Sequence, residues 1–141
     1  MKILVPVDGS ANALRAVDYV VGNIAELKEI PQLLLLNVQR NVAQGNVKLF
    51  IDQGTIDDYC REQGMAALQA SRTALDAAGL PYQYHISIGS TAETIVQYAR
   101  DQQADQIVMG RKGLGGLQSL LLGTVVKKVL QLADCPVVLI K

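Results

Sequence analysis

Apolar and polar positions alternate between two rhythms along this chain, and the order of those rhythms predicts its architecture. Lys2–Val7 is a short apolar strand, and Asp8-Gly9-Ser10 is a turn able to cap a helix. Leu14, Val17, Val20, Val21 and Ile24 then recur at helical spacing, giving that helix one face to pack on a sheet. Leu33–Val38 is a nearly continuous apolar run, the mark of a strand buried on both faces inside a parallel sheet. From Asn41 to Gly54 the period loosens around Gly45, and this stretch reads as a mobile connection, its last part already helical, beside the expected ligand crevice.

A long helix is predicted from about Thr55 to Ala78, with Cys60, Ala67, Leu68, Ser71 and Leu75 facing inward and Gly79 as its stop. Tyr82–Ile88 alternates polar and apolar residues, which suits an edge strand. Ser90 opens the next helix, Glu93 completes a capping box three residues on, and Ile95, Val96 and Ala99 bury its face. Asp105–Met109 is a fourth strand. A last helix spans Thr124 to Ala133 with Val125, Val129 and Leu132 as its core face, and Pro136 introduces the strand Val137–Ile140.

Five strands alternating with four helices imply right-handed crossovers and an α/β fold, an open doubly wound parallel sheet with helices on both faces. The expected strand order is 3-2-1-4-5. In such sheets ligands lie beyond the carboxyl ends of strands where the order reverses. That point falls between strands one and four, so the Asp8 turn and the loop at Gly110 converge on one crevice.

Composition narrows the field. The 141 residues are enough for one domain with a sizeable core, and 1–141 reads as a single domain. Thirteen basic and thirteen acidic residues cancel, so nothing points to a nucleic-acid or anionic-membrane surface. The first apolar run meets an acid by Asp8, too soon for a signal peptide, and no apolar stretch reaches the roughly 18 residues of a membrane helix. A cytoplasmic location is expected. Cys60 and Cys135 are far apart without C-x-x-C spacing and read as buried free thiols, and the single histidine, His85, falls in the edge strand away from the crevice.

The chemistry lies in Gly110-Arg111-Lys112-Gly113, followed after nine residues by Gly123-Thr124: the spacing G-x2-G-x9-G-[ST] directly after an apolar strand. Glycine lacks a Cβ, so backbone N–H groups can approach an anion closely. Thr124 adds a hydroxyl at a helix start, where unpaired N–H groups face outward, and Arg111 and Lys112 can supply full charges. Lys127 and Lys128 read as a solvated helix face. A Walker A loop requires lysine where Gly116 stands, and no G-x-G-x-x-G follows the first strand, which disfavours NAD. The first turn also lacks the Ser-Gly-Gly-x-Asp-Ser signature of ATP pyrophosphatases.

On these segments, the chain resembles the universal stress protein family in its ATP-binding branch. The resemblance rests on Ile3–Ser10, on Ile107–Gly113, and on Leu122-Gly123-Thr124 running on to Ala133–Val137. It implies an ATP site in which Gly110, Gly113, Gly123 and Thr124 hold phosphates and ribose, Asp8 lies near the ribose or a metal-bound phosphate, and Pro6, Val7 and Val38 wall the adenine. Met109, Leu114, Gly115 and Val125 complete the candidate set, with Mg2+ reaching the site through the nucleotide beside Asp8. Family members often carry a second serine where this chain has Val126, so one contact is missing. Asp8 has two compatible readings, as a helix cap and as a ligand contact.

The expected role is a nucleotide-dependent regulator, a homodimer joined through strand 137–140, whose uncovered apolar edge calls for a partner. Binding rather than turnover is expected, since no His or Glu flanks the glycine loop to act as a general base. The alternatives are a slow Mg-dependent ATPase or phosphotransferase, and a ligand-free interaction dimer.

Overall fold

Strand β1 (Lys2–Pro6) occupies the middle of a five-stranded parallel sheet in the computed structural model, which describes residues 1–40, 52–113 and 122–141. On one side it pairs with β2 (Gln32–Gln39) and through it with β3 (Tyr82–Ile88); on the other it pairs with β4 (Gln106–Gly110) and then β5 (Val137–Ile140). The order β3-β2-β1-β4-β5 is the expected one, with the reversal between β1 and β4.

Four helices connect the strands: α1 (Ala11–Asn23), α2 (Gln53–Ala77), α3 (Thr91–Asp101) and α4 (Thr124–Leu132), with a short 3-10 turn at Ile24–Glu26. Successive strand residues point to opposite faces, so the apolar strands feed two cores. Ile3, Val5, Leu33, Leu35 and Val108 pack with Ala16, Val17 and Val20 of α1 and Leu68 and Leu75 of α2. Leu4, Leu34, Leu36, Ile107 and Met109 pack with Ile95, Val96 and Ala99 of α3 and Val126 and Val129 of α4. Leu34 and Leu35 are both fully shielded, which explains why β2 shows no polar alternation.

Several local expectations are corrected. Helix α2 begins at Gln53, because the Asp52 carboxylate accepts the Thr55 N–H at 2.8 Å as an N-cap. The remainder of the Asn41–Gly54 connection, residues 41–51, lies outside the described residues. Ser90 is the N-cap of α3, but its side chain makes no capping bond, and Glu93 instead pairs with Lys128 of α4. A second pair, Arg100 with Asp134, ties the other end of α3 to the segment just after α4. The core stripe of α4 is also rotated: Val126 and Val129 are buried, Val125 is half-buried and Leu132 is exposed.

Gly79 does end α2, with φ +67° and the Leu80 N–H donating to Leu75 O at 3.1 Å. His85 stacks on Tyr98 with ring centroids 5.5 Å apart. Cys60 is a buried free thiol, while Cys135 is only half-buried and partial burial raises its thiol pKa. No described helix is long and apolar enough to cross a membrane.

Gly110 shows how tightly the sheet end is packed. A Cβ at this position would lie 2.7 Å from the Asn12 carbonyl oxygen and 2.8 Å from its carbon, both backbone atoms in the first turn of α1. Helix α1 thus rests directly on the end of β4. Gly110→Ala is expected to lower unfolding stability by about 1–3 kcal/mol through overpacking. Urea unfolding without added ligand measures this; an unchanged midpoint would show that Gly110 is not needed for packing.

Candidate functional site

The turn after β1 is built by consecutive side-chain caps. Asp8 Oδ1 accepts the Ser10 N–H at 2.9 Å, and Ser10 Oγ accepts the Ala13 N–H at 3.1 Å, so Ser10 is the helix cap and Asp8 orders the turn before it. The strand end is fixed from the other side. The Val7 N–H donates to Leu36 O at 2.8 Å, and the buried Asn37 returns an amide N–H to Val7 O at 2.8 Å. Gln39 in turn donates to Asn37 Oδ1 at 2.7 Å, so both ends of this buried amide are engaged.

The glycine loop meets this turn directly. A Cβ on Gly113 would stand 2.5 Å from Asp8 Oδ2, so the loop backbone passes against the carboxylate. Arg111 fixes the loop through its main chain: its N–H donates to Ile140 O at 3.0 Å and its carbonyl accepts the Gly123 N–H at 2.9 Å. Gly123 is the N-cap of α4, without a side-chain capping bond, and Thr124 is the first helical residue.

Between these elements lies a cavity of about 680 Å3 at the carboxyl ends of β1, β2 and β4. Pro6, Val7, Leu36, Val38, Ile95 and Met109 form its apolar wall. Asp8, Lys112, Gly113, Gly123 and Thr124 line the polar side, with Gly110 and Val125 also at its surface. Arg111 is not among the lining residues, and Leu114 and Gly115 lie outside the described residues. His85 lines neither this cavity nor its neighbour.

The lining includes residues that the motif did not identify. Arg40 and Thr91 lie on it, as does Lys127, whose exposed side chain reaches the rim although it reads in sequence as solvated helix face. Arg40 carried an available signal: it is the polar break just after β2, at the same carboxyl end where Asp8 follows β1. Lys127 is three residues after Thr124, hence on the same side of α4. Val126 is a core residue, 2% exposed, that also forms part of the cavity floor, so the hydroxyl missing at this position is replaced by packing.

A second hollow of about 550 Å3 adjoins the first, lined by Arg40, Gly89, Ser90, Thr91, Glu93 and Lys128 among others. The hydrogen bond from Lys128 holds the Glu93 carboxyl below its ordinary pKa. Among the described residues no cluster of three His, Cys, Asp or Glu side chains could hold a metal ion by protein ligands alone.

Comparison with known proteins places this geometry in a family. Residues 1–141 match the universal stress protein family. Universal stress protein MJ0531 of Methanocaldococcus jannaschii is 31% identical over 144 residues, covering 99% of this chain and 81% of that protein. The solved structure of MJ0577 from the same organism superposes with a TM-score of 0.83 at 27% identity, covering 99% of this chain and 94% of that one. Two structures of the same fold hold nucleotides. One is a universal stress protein in complex with cAMP (TM-score 0.73, 21% identity, 100% and 97% coverage), the other an Arabidopsis thaliana family protein with AMP bound (0.68, 23%, 100% and 91%). On its fold, its sequence and the loops that end beside Asp8, this chain belongs to the universal stress protein family.

Proposed function

We propose that this protein binds an adenine nucleotide, ATP by preference, in the crevice between β1 and β4, and acts as a cytoplasmic stress-response regulator. The observation that carries the reading is the meeting of the Asp8 turn, Gly113 and Gly123-Thr124 around one cavity at the point where strand order reverses. The cavity suits the ligand at both ends. Its apolar wall offers a slot for a base, while Lys112 and Lys127 place cations where phosphates would run. Relatives crystallised with cAMP and AMP support the adenine part of the assignment.

In this reading Gly110, Gly113, Gly123 and Thr124 bring backbone and hydroxyl donors to the phosphates and ribose. Asp8 is the sole carboxylate among the described lining residues of the main cavity. One carboxylate together with substrate phosphates is an ordinary Mg2+ environment, so Asp8 is the residue that would hold the metal of Mg-ATP. Binding is the main activity, because neither His nor Glu lines the main cavity among the described residues as a general base. A slow Mg-dependent ATPase or phosphotransferase is the second reading, favoured by the closeness of Asp8 to the Gly113 backbone.

The switch requires an output surface, and β5 supplies one. The carbonyls of Pro136 and Ile140 accept from Ile107 and Arg111, so by alternation Val137 and Leu139 turn their backbone groups to the open edge of the sheet. An apolar open edge of this kind pairs with a second copy, giving a homodimer.

Protein purified without added ligand and then denatured is expected to release ATP or ADP near one per subunit, read by chromatography. Gly113→Val should carry none, while circular dichroism shows it folded; if both release nothing and ATP leaves the wild-type melting temperature unmoved, the site is not a nucleotide site. Asp8→Ala should weaken ATP binding by about tenfold, the loss of one charged contact, with little phosphate release from either protein. Rapid metal-dependent release abolished by that change would establish the enzyme instead. Sedimentation should find a wild-type dimer and a folded monomer for Leu139→Pro, which removes an outward N–H without touching the β4 ladder; a monomeric wild type would sink the dimer.

A further inference from the structure

The two hollows share four lining residues, Arg40, Thr91, Thr124 and Val125, and are therefore lobes of a single cleft. Arg40 stands at their junction. Among the described residues its guanidinium, with five N–H donors, has no hydrogen-bond or ion-pair partner. Thr124, which the nucleotide reading places at the phosphates, stands at the same junction.

The lining of the second lobe defines what it can take. Beyond the shared residues its described lining is Gly89, Ser90, Ala92, Glu93 and Lys128, and among the described residues it has no aromatic ring and no large apolar side chain to stack on a second base. The Glu93 carboxylate is paired with Lys128, so these two charges offset each other and the positive charge of Arg40 remains. A hydroxyl-lined hollow with one guanidinium unpaired among the described residues matches phosphate, which arginine grips through two N–H groups at once.

We infer that the second lobe takes a phosphate group held by Arg40, so that the cleft accepts one phosphate more than the main crevice holds. This inference rests on the nucleotide reading of that crevice. The phosphate has two possible sources: the continuation of the nucleotide's own phosphate chain past Thr124, or a free phosphate ion beside ATP.

Calorimetric titration at fixed ionic strength and magnesium separates them, using ATP, adenosine 5′-tetraphosphate, and ATP with excess inorganic phosphate as probes. The tetraphosphate is expected to bind about tenfold tighter than ATP if its chain supplies the group, a gain typical of one charge-assisted contact. If the source is free, inorganic phosphate should tighten ATP by a similar factor. Either gain should disappear in Arg40→Gln. It should also disappear in Ser90→Asp, which keeps a capping-competent residue at the start of α3 while placing a carboxylate in the second lobe. Gln97→Glu adds the same charge on the exposed face of α3 and should leave the gain intact, excluding a mere net-charge effect. The inference is overturned if ATP binds but neither probe gains, or if the gain survives in both lobe variants. Failure of ATP itself to bind would overturn the nucleotide reading first.

Discussion

The close contact between the first turn of α1 and the end of β4 is the constraint on which the crevice depends. Asn12 backbone atoms fill the space that any side chain at position 110 would need, so the helix seats directly on the strand. That seating fixes where the turn before α1 must run. Asp8 is then held beside the outgoing loop of β4, and the carboxylate comes to face the Gly113 backbone. Gly110 accordingly has a structural reason to be glycine before any ligand enters, whereas the reason at Gly113 lies in the site itself.

The sheet was legible because its central strands are shielded on both faces. An apolar run as unbroken and as short as Leu33–Val38 fits the interior of a parallel sheet and little else, and the polar alternation of Tyr82–Ile88 placed β3 at an edge. What escaped the sequence depends on distant partners. Glu93 has the spacing of a capping box, yet its carboxylate goes to Lys128, a residue of another helix. The core face of α4 could be read as Val125–Val129–Leu132 or as Val126–Val129, and only the docking of that helix against Leu36 and Met109 selects the second. Similarly, the motif marked the β4 loop and the start of α4, but Thr91 enters the cleft from α3 without any local signature, and Arg40 was marked only by its place just after β2.

The two faces of the sheet are held differently. On the α1/α2 face, apolar packing is supplemented at the rim by Arg72, whose guanidinium lies 4.5 Å from the centre of the Tyr84 ring. On the α3/α4 face, two ion pairs link the helices at opposite ends, Glu93 with Lys128 and Arg100 with Asp134. All four groups are solvent-exposed, so these pairs add little stability, and the mutual orientation of α3 and α4 rests mainly on the apolar core that Ile95, Val96, Val126 and Val129 share. That orientation decides the width of the second lobe, because Ser90 and Glu93 stand on one helix and Thr124 and Lys128 on the other.

Arg111 contributes nothing to the cavity lining, yet its main chain joins two distant parts of the molecule. Its N–H is held by Ile140 at the outer strand and its carbonyl by Gly123 at the head of α4. Only the φ and ψ of this one residue separate the two bonds. The open edge of the sheet and the cleft-facing start of α4 are thus mechanical neighbours, joined within a single residue's length.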